Sequence, residues 1–374
     1  MTPHPIEIFC CQNPECPDCG IRNKGNLRWH GWSGHSHRIR GLYCRTCGKY
    51  FSERKGTVLE HSRLPEEKVE SLLEHIQYGC GIRQTARLIR VNQNTVIRYA
   101  RVAGDHASKL HHELVASSPQ TREVQLDEKW SFVAKKEDKC NDEDKTCGDN
   151  WDHVALDAET RLVLDVIPGK RTADNSLQLV KSVYEKTKGR TDLLLTSDKY
   201  KPYKTAIEVV YAKEVQQPKK PGPGRPPKKP KKVMPDDLCY ATVHKIRKQG
   251  KVVEVKRNVV FGTMELLLLW LARSIASFCI NTSFIERFNA TDRILNGRKG
   301  RKSLRFSKNW DIHNAMTYFV SFSYNFCWPV RTLSIKDEYE VRIKRTPAMA
   351  SGLTDHVWTL GEWISFPASP VRST

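Results

Sequence analysis

Long apolar runs are scarce in this chain of 374 residues. The longest, MELLLLWLARSIASFCI from Met264, is short for a bilayer and carries Glu265 and Arg273, so it reads as a core helix and not as a membrane span. A charged-then-apolar leader ahead of Cys10 is also missing, which predicts a cytoplasmic protein without a signal peptide. In that compartment the sequons at Asn281 and Asn289 carry no glycosylation meaning. Acid is in short supply: 42 Asp and Glu face 62 Lys and Arg, a formal charge of +20 with a pI near 9.5. An excess of this size is the electrostatic footprint of a protein that meets a polyanion. The length allows a full hydrophobic core and two or three domains.

Cysteine, by contrast, is plentiful and unevenly placed. Of twelve, Cys10, Cys11, Cys16, Cys19, Cys44 and Cys47 crowd the first fifty residues, a density that suits metal binding in a reducing compartment. CPDCG at 16–20 and CRTCG at 44–48 repeat one pattern, two thiols three apart followed by Gly. Two such turns make a tetrahedral, four-thiolate Zn²⁺ site from Cys16, Cys19, Cys44 and Cys47. Cys11, five residues before Cys16, is the alternative to Cys19 as the fourth ligand. The ribbon occupies residues 1–60. His30, His35 and His37 lie between its two turns and are not needed once four thiolates saturate the ion.

Residues 61–118 read as helical. Leu64-Pro65-Glu66-Glu67 is a helix start, and Val69, Leu72, Leu73 and Ile76 recur at helical spacing. IRQTARLIR then leads through a polar turn into TVIRYARVAG. Two short helices joined this way describe a helix-turn-helix, with Gln93, Asn94, Thr95 and Arg98 opening the recognition helix.

From Arg122 the pattern changes to strands. LDEKWSFV, WDHVALDAE and RLVLDVIPG are followed by a helix, the apolar strand LLLTSD and a further helix from about Lys201. This order predicts an α/β domain of ribonuclease-H-like type over 119–335, whose first and fourth strands lie adjacent and carry Asp127 and Asp198 at neighbouring ends. Glu128 faces the other side of its strand and reads as an ordinary charge. Glu286 sits on a helix from about Ser283 to Leu295, beside a basic tract that includes Arg287, Arg301 and Lys302. Two strand-borne aspartates and a helix-borne glutamate suit a pair of Mg²⁺ (or Mn²⁺) ions, a standard arrangement for phosphodiester chemistry. His313 lies one helix further on. Residues 213–235 interrupt the domain with KKPGPGRPPKKPKK, and 336–374 form a C-terminal tail. The insertion is either a solvated cationic linker or an AT-hook, in which Arg225 would enter an A·T minor groove. CYATVHKIRK and KVVEVKR read as a hairpin about Gln249-Gly250.

The chain resembles transposases of the insertion-sequence-one family, a branch of the DDE transposases. The resemblance runs from CPDCG and YCRTCGKYFSERKGT through GIRQTARLIRVNQNTVIR, LDEKWSFV, TSDKYKPY, FIERFNATDR and GRKSLRFSK to RTPAMASGLTDHVWTL. It implies catalytic acids at Asp127, Asp198 and Glu286, Mg²⁺-dependent transposition of the protein's own element, and a prokaryotic, nucleoid-associated location. It further implies double-stranded DNA as partner, both element ends and target, and a homo-oligomer of at least two copies. Trp328 and Val330 stand where many related enzymes have a basic residue and a His. The alternatives are a DNA-binding regulator descended from such an enzyme, and a structure-selective nuclease of the same fold.

Overall fold

The computed structural model describes residues 4–33, 39–118, 120–141, 146–216 and 230–370. Most of the AT-hook-like insertion, Arg225 included, and His35 and His37 lie outside the described residues. The chain divides into two units, each assembled from separate stretches of sequence. One comprises Met1–Leu114, Ile294–Pro329 and His356–Thr374, and the other Val115–Arg293 and Val330–Asp355. The part of the basic tract from Ile294 on, with Arg301 and Lys302, and the stretch from His356 therefore belong with the N-terminal elements, and not with a domain over 119–335 and a separate tail, while Arg287 stays in the second unit.

In the first unit, a three-stranded antiparallel sheet is formed by β1 (Leu27–Ser33), β2 (Ile39–Cys44) and β3 (Tyr50–Ser52). β1 is largely exposed, β2 and β3 are mostly half-buried, and beside them lies a buried group of cysteines. Three helices follow: α1 (Glu66–Gln77), α2 (Ile82–Ile89) and α3 (Gln93–Leu114). Arg90 takes a left-handed conformation (φ 57°) to end α2, and Asn92 accepts from the backbone N–H of Asn94 to open α3. The two helices joined by a polar turn are α2 and α3, but α3 runs for 22 residues where a short helix was expected. The buried face of Ala100, Ala103 and Gly104 continues past the expected end through Ala107 and Leu110.

The second unit is built on a mixed six-stranded sheet. Its strands are β4 (Glu123–Val133), β5 (Gly148–Asp157), β6 (Val163–Gly169) and, after α4 (Ala173–Lys186), β7 (Leu194–Asp198). After α5 (Lys201–Tyr211) the short strands β8 (Lys213–Val215) and β9 (Lys231–Val233) pair at the base of the insertion. The hairpin β10 (Cys239–Lys248) and β11 (Lys251–Phe261) completes the sheet, in the order β11-β10-β7-β4-β5-β6. β4, β7 and β10 are mutually parallel, while β5, β6 and β11 run against their neighbours. β4 alternates strictly: its odd-numbered polar residues meet α7 (Ser283–Leu295), and Glu128 faces Tyr203 of α5 on the other side.

α6 (Met264–Arg273) departs from the core helix expected of its apolar run. Leu267 and Trp270 are buried, but Met264, Leu268 and Leu269 are exposed, and so are Ile275 and Phe278 beyond its end. Ten residues against a sheet bury one stripe only, so the remaining leucines face out. Among the described residues no helix is long and apolar enough to cross a membrane.

Returning to the first unit, α8 (Trp310–Cys327) lies against α3. The crossing is tight at Gly104, where any Cβ would come within 2.3 Å of the Ala315 carbonyl oxygen. The short hairpin β12 (Ile335–Lys336) and β13 (Arg342–Ile343) and the helical turn α9 (Pro347–Ala350) belong to the second unit, and the chain re-enters the first with α10 (Leu360–Ser365). Trp363 of α10 is fully buried, stacked on His106 and edge-on to Phe319, 5.4 Å between centroids. Backbone bonds from Val58 to Ile364 and from Ala368 to Gly56 tie this end to the segment after β3.

Candidate active site and metal centre

The sheet places Asp127 and Asp198 by register. β4 and β7 pair in parallel with Leu126 opposite Ser197, so the next residues, the two aspartates, stand side by side where the pairing ends. Neighbouring strands lie about 4.8 Å apart, close enough for each carboxylate to feel the other. Asp198 is fixed by the backbone N–H of Tyr200, 3.0 Å from Oδ1. Asp127 accepts from Nδ2 of Asn289 at 2.7 Å.

One face of β4 holds α7 at three points. Oε1 of Gln125 accepts from the backbone N–H groups of Phe284 and Ile285, at 3.1 and 3.0 Å, and so satisfies donors that the first turn leaves open. Asp127 receives Asn289. Lys129 reaches Asp292, and lies 3.5 Å from Asp152 of β5, with all three side chains buried. Residues two apart on a strand rise about 6.6 Å, close to the rise of a helical turn, so strand and helix stay in step. Glu286 is thereby held on the same side of the sheet as Asp127, at the exposed edge, where it accepts from Thr282 at 2.6 Å and pairs with Lys245 of β10.

Crowded carboxylates show in their acidity. Asp127 is pushed up to about 7, first by burial and then by the charges of Asp198, Glu128 and Glu286. Burial also raises Asp198, with Glu286 adding to it, while Tyr200 N–H, Arg171 and His244 oppose the rise. Glu128 is not the ordinary charge expected from the sequence. It is buried, pushed up to about 7 by burial and by Asp198, and held by Arg171 at 2.9 Å. The Arg171 guanidinium is itself set over the rings of Trp151 and Tyr200, 4.6 and 4.1 Å from their centroids. Gln125, Glu128, Lys129 and Arg171 were not anticipated as parts of the site. The period-two pattern of β4 carries the signal for Gln125 and Lys129, which share the face of Asp127; Glu128, on the other face, and Arg171, in a connection between strand and helix, have none.

Oxygen donors that repel one another in a half-buried setting fit a divalent cation of Mg²⁺ type. The three acids are less tightly drawn together than the cysteines. Among the described residues, the one group of ligand atoms that all lie within 4.8 Å of one another is Cys11, Cys16, Cys44 and Cys47. Cys11 thus stands where Cys19 was expected. The turn closed by Cys16 N–H on the Asn13 carbonyl folds the chain back onto Cys11, and the next turn, Cys19 N–H on Cys16, carries Cys19 out of the set. Sulfur–sulfur approaches of 3.7 Å (Cys11–Cys47) and 3.9 Å (Cys16–Cys44), with Asn26 donating to Cys44 at 3.4 Å, make a cage of three buried thiols and the half-buried Cys47, suited to a thiophilic metal.

The remaining candidates divide between the units. Arg287 is exposed next to Glu286. Gln93, Asn94 and Arg98 are exposed and Thr95 half-buried at the start of α3, and Arg301 and Lys302 are exposed in the same unit. His313 is also there, fully buried and 2.8 Å from Ser307 Oγ.

No protein-family model and no curated protein matches the chain. Among solved structures, partial overlaps occur with the Mos1 strand transfer complex (15% identity, TM-score 0.16, 38% of this chain and 53% of that one) and a pre-cleavage Mos1 transpososome (15%, 0.17, 40% and 58%). A third is the mariner Mos1 paired end complex with Mg (14%, 0.17, 40% and 58%). The chain spans little more than half the length of these proteins, and overlap at this level decides nothing about activity.

Proposed function

We propose that this chain is a DNA transposase of the DDE type. Its core would be ribonuclease-H-like, with a zinc ribbon and a helix-turn-helix to recognise the ends of its own element. The observation that carries the reading is the register of β4 and β7, which sets Asp127 beside Asp198 while α7 holds Glu286 on the same side. The strand order, with the first and fourth strands of the domain adjacent, supports it.

Asp127, Asp198 and Glu286 would hold Mg²⁺ or Mn²⁺. When bound, such ions activate a water or a 3′-hydroxyl as nucleophile and stabilise the leaving oxygen of a phosphodiester. The chain's own part is to orient and to balance charge. Asn289 fixes the rotamer of Asp127, Tyr200 N–H fixes Asp198, and Arg171 offsets the pair formed by Glu128 and Asp198. Lys245 and Arg287, next to Glu286, supply cations where phosphates would approach. Cys11, Cys16, Cys44 and Cys47 would hold one structural Zn²⁺. Joining two element ends calls for at least two copies, in the cytoplasm and on the nucleoid.

The test is metal-dependent nicking and strand transfer on duplexes that carry the element ends. Asp127→Ala, Asp198→Ala and Glu286→Ala each abolish both steps and leave duplex binding intact. Strand transfer by the Asp198→Ala chain contradicts the assignment. Element-end cleavage that never proceeds to joining favours a nuclease.

A further inference from the structure

The first unit contains an open cleft of about 1010 Å³, at the upper end of the roughly 300–1,000 Å³ typical of small-ligand pockets. One wall is α2 and the start of α3, with Arg83, Asn94, Ile97, Arg98 and Arg101; the other is the segment 297–309, GRKGRKSLRFSKN, with Arg298, Arg305 and Lys308. No Asp or Glu lines it. Among the described residues, Arg101 is the one of its six cations that meets carboxylates, Asp311 at 3.5 Å and Asp105 at 4.0 Å. Arg298 is half-buried and makes no ion pair among the described residues. A partly desolvated guanidinium facing other cations calls for an anion from outside the unit.

The basic segment is seated, not loose. Arg305 donates to the Gly79 carbonyl at 3.1 Å. Gly79 has φ +80°, and a Cβ there would come within 2.9 Å of the Ile294 carbonyl oxygen, so the turn between α1 and α2 and the start of this segment lie in direct contact. Whatever reaches Asn94 and Arg98 must therefore pass between α3 and a fixed row of cations.

We propose that this cleft grips one sugar–phosphate strand of a DNA duplex, with α3 on the base side and the segment 297–309 as a second, basic wall. The two walls act as one reader, in which Arg83, Arg98, Arg298, Arg305 and Lys308 take phosphates, and Ile97, Leu304 and Phe306 lie against the sugars. The inference rests on the transposase reading for the nature of the polyanion.

It is tested with the full chain on a duplex of mixed sequence, by titration over a series of salt concentrations. Lys308→Gln and Arg83→Gln lie on opposite walls, are exposed, and make no ion pair among the described residues. Each lost phosphate contact lowers the slope of log affinity against log salt by about 0.9, and the double variant by about 1.8. Lys336→Gln removes the same charge in β12 and leaves the slope unchanged. Thermal unfolding of each variant at the wild-type temperature shows that the fold is kept. A wild-type slope in folded Lys308→Gln overturns the basic wall. Cleavage of element ends in that same variant keeps the transposase reading, whereas reduced slopes with no metal-dependent cleavage by any chain keep the cleft and sink the transposase.

Discussion

At the residue scale the site is defined by carboxylates that resist ionisation. An unfolded Asp or Glu titrates near 3.9 or 4.3, whereas Asp127 and Glu128 are both pushed up to about 7. The folded chain therefore binds more protons than the unfolded one between about pH 4 and pH 7, and stability falls as pH rises through that window. Below it both states are protonated; above it the loss is complete. In a chelator, the melting temperature of wild type should decline across this range more than that of Asp127→Asn, which has no proton to lose there. Mg²⁺ needs ionised ligands, so its stabilising effect should grow over the same range. Arg171→Ala removes the cation that opposes the rise at Glu128 and Asp198, and should move the onset of Mg²⁺ stabilisation to higher pH. Identical melting profiles for wild type and Asp127→Asn would rule out the raised acid. Both aspartates and Glu286 stood out as candidates in short strings of the sequence, and the sheet register sets the two aspartates side by side. Glu128 was misread because its neighbours Arg171 and Tyr203 are distant in sequence, and strand alternation says only which face a side chain takes.

At the element scale, β4 and α7 form one device. Gln125, Asp127 and Lys129 engage Phe284, Asn289 and Asp292 in turn. Alternation along β4 makes the first half of this pattern readable, but nothing in the sequence says which helix, some 160 residues on, comes to meet it. Lys129 is the member whose loss costs most. Lys129→Ala leaves Asp152 and Asp292 buried without their cation, and breaking such a network costs about 3–5 kcal/mol. The exposed pair Lys336–Glu340 offers the contrast, since Lys336→Ala removes an ion pair worth about 0–1 kcal/mol. Denaturant unfolding of the two variants checks the difference. Equal midpoints would show that Lys129 does not secure the helix. α6 illustrates the opposite failure: its leucines predicted burial, yet an amphipathic need cannot be read from a run that is apolar all round.

At the scale of the whole molecule, sequence order and spatial order part company. The stretch Ile294–Pro329 and the last residues of the chain join the N-terminal unit, because Trp363 fills a slot beside His106 and Phe319 and because Arg22 reaches Glu113 and Ser369. Boundaries drawn from composition could not foresee a core assembled from the two chain ends. The cysteine cage is where this arrangement is most exposed to test. A ribbon with few buried apolar residues would be held by a metal in this cage, so loss of a ligand thiolate should release the ribbon. The full chain should bind one Zn²⁺. Cys11→Ser and Cys44→Ser should lose it, while Cys19→Ser, outside the four-thiolate group, should keep it. Zinc content by elemental analysis reads this directly. Ala368 bonds to Gly56 and Ser369 to the Gly20 carbonyl, so the metal-free variants should also yield their C-terminal residues to a protease sooner than wild type. The reverse pattern, zinc kept in Cys11→Ser and lost in Cys19→Ser, would return the fourth ligand to the second cysteine of CPDCG.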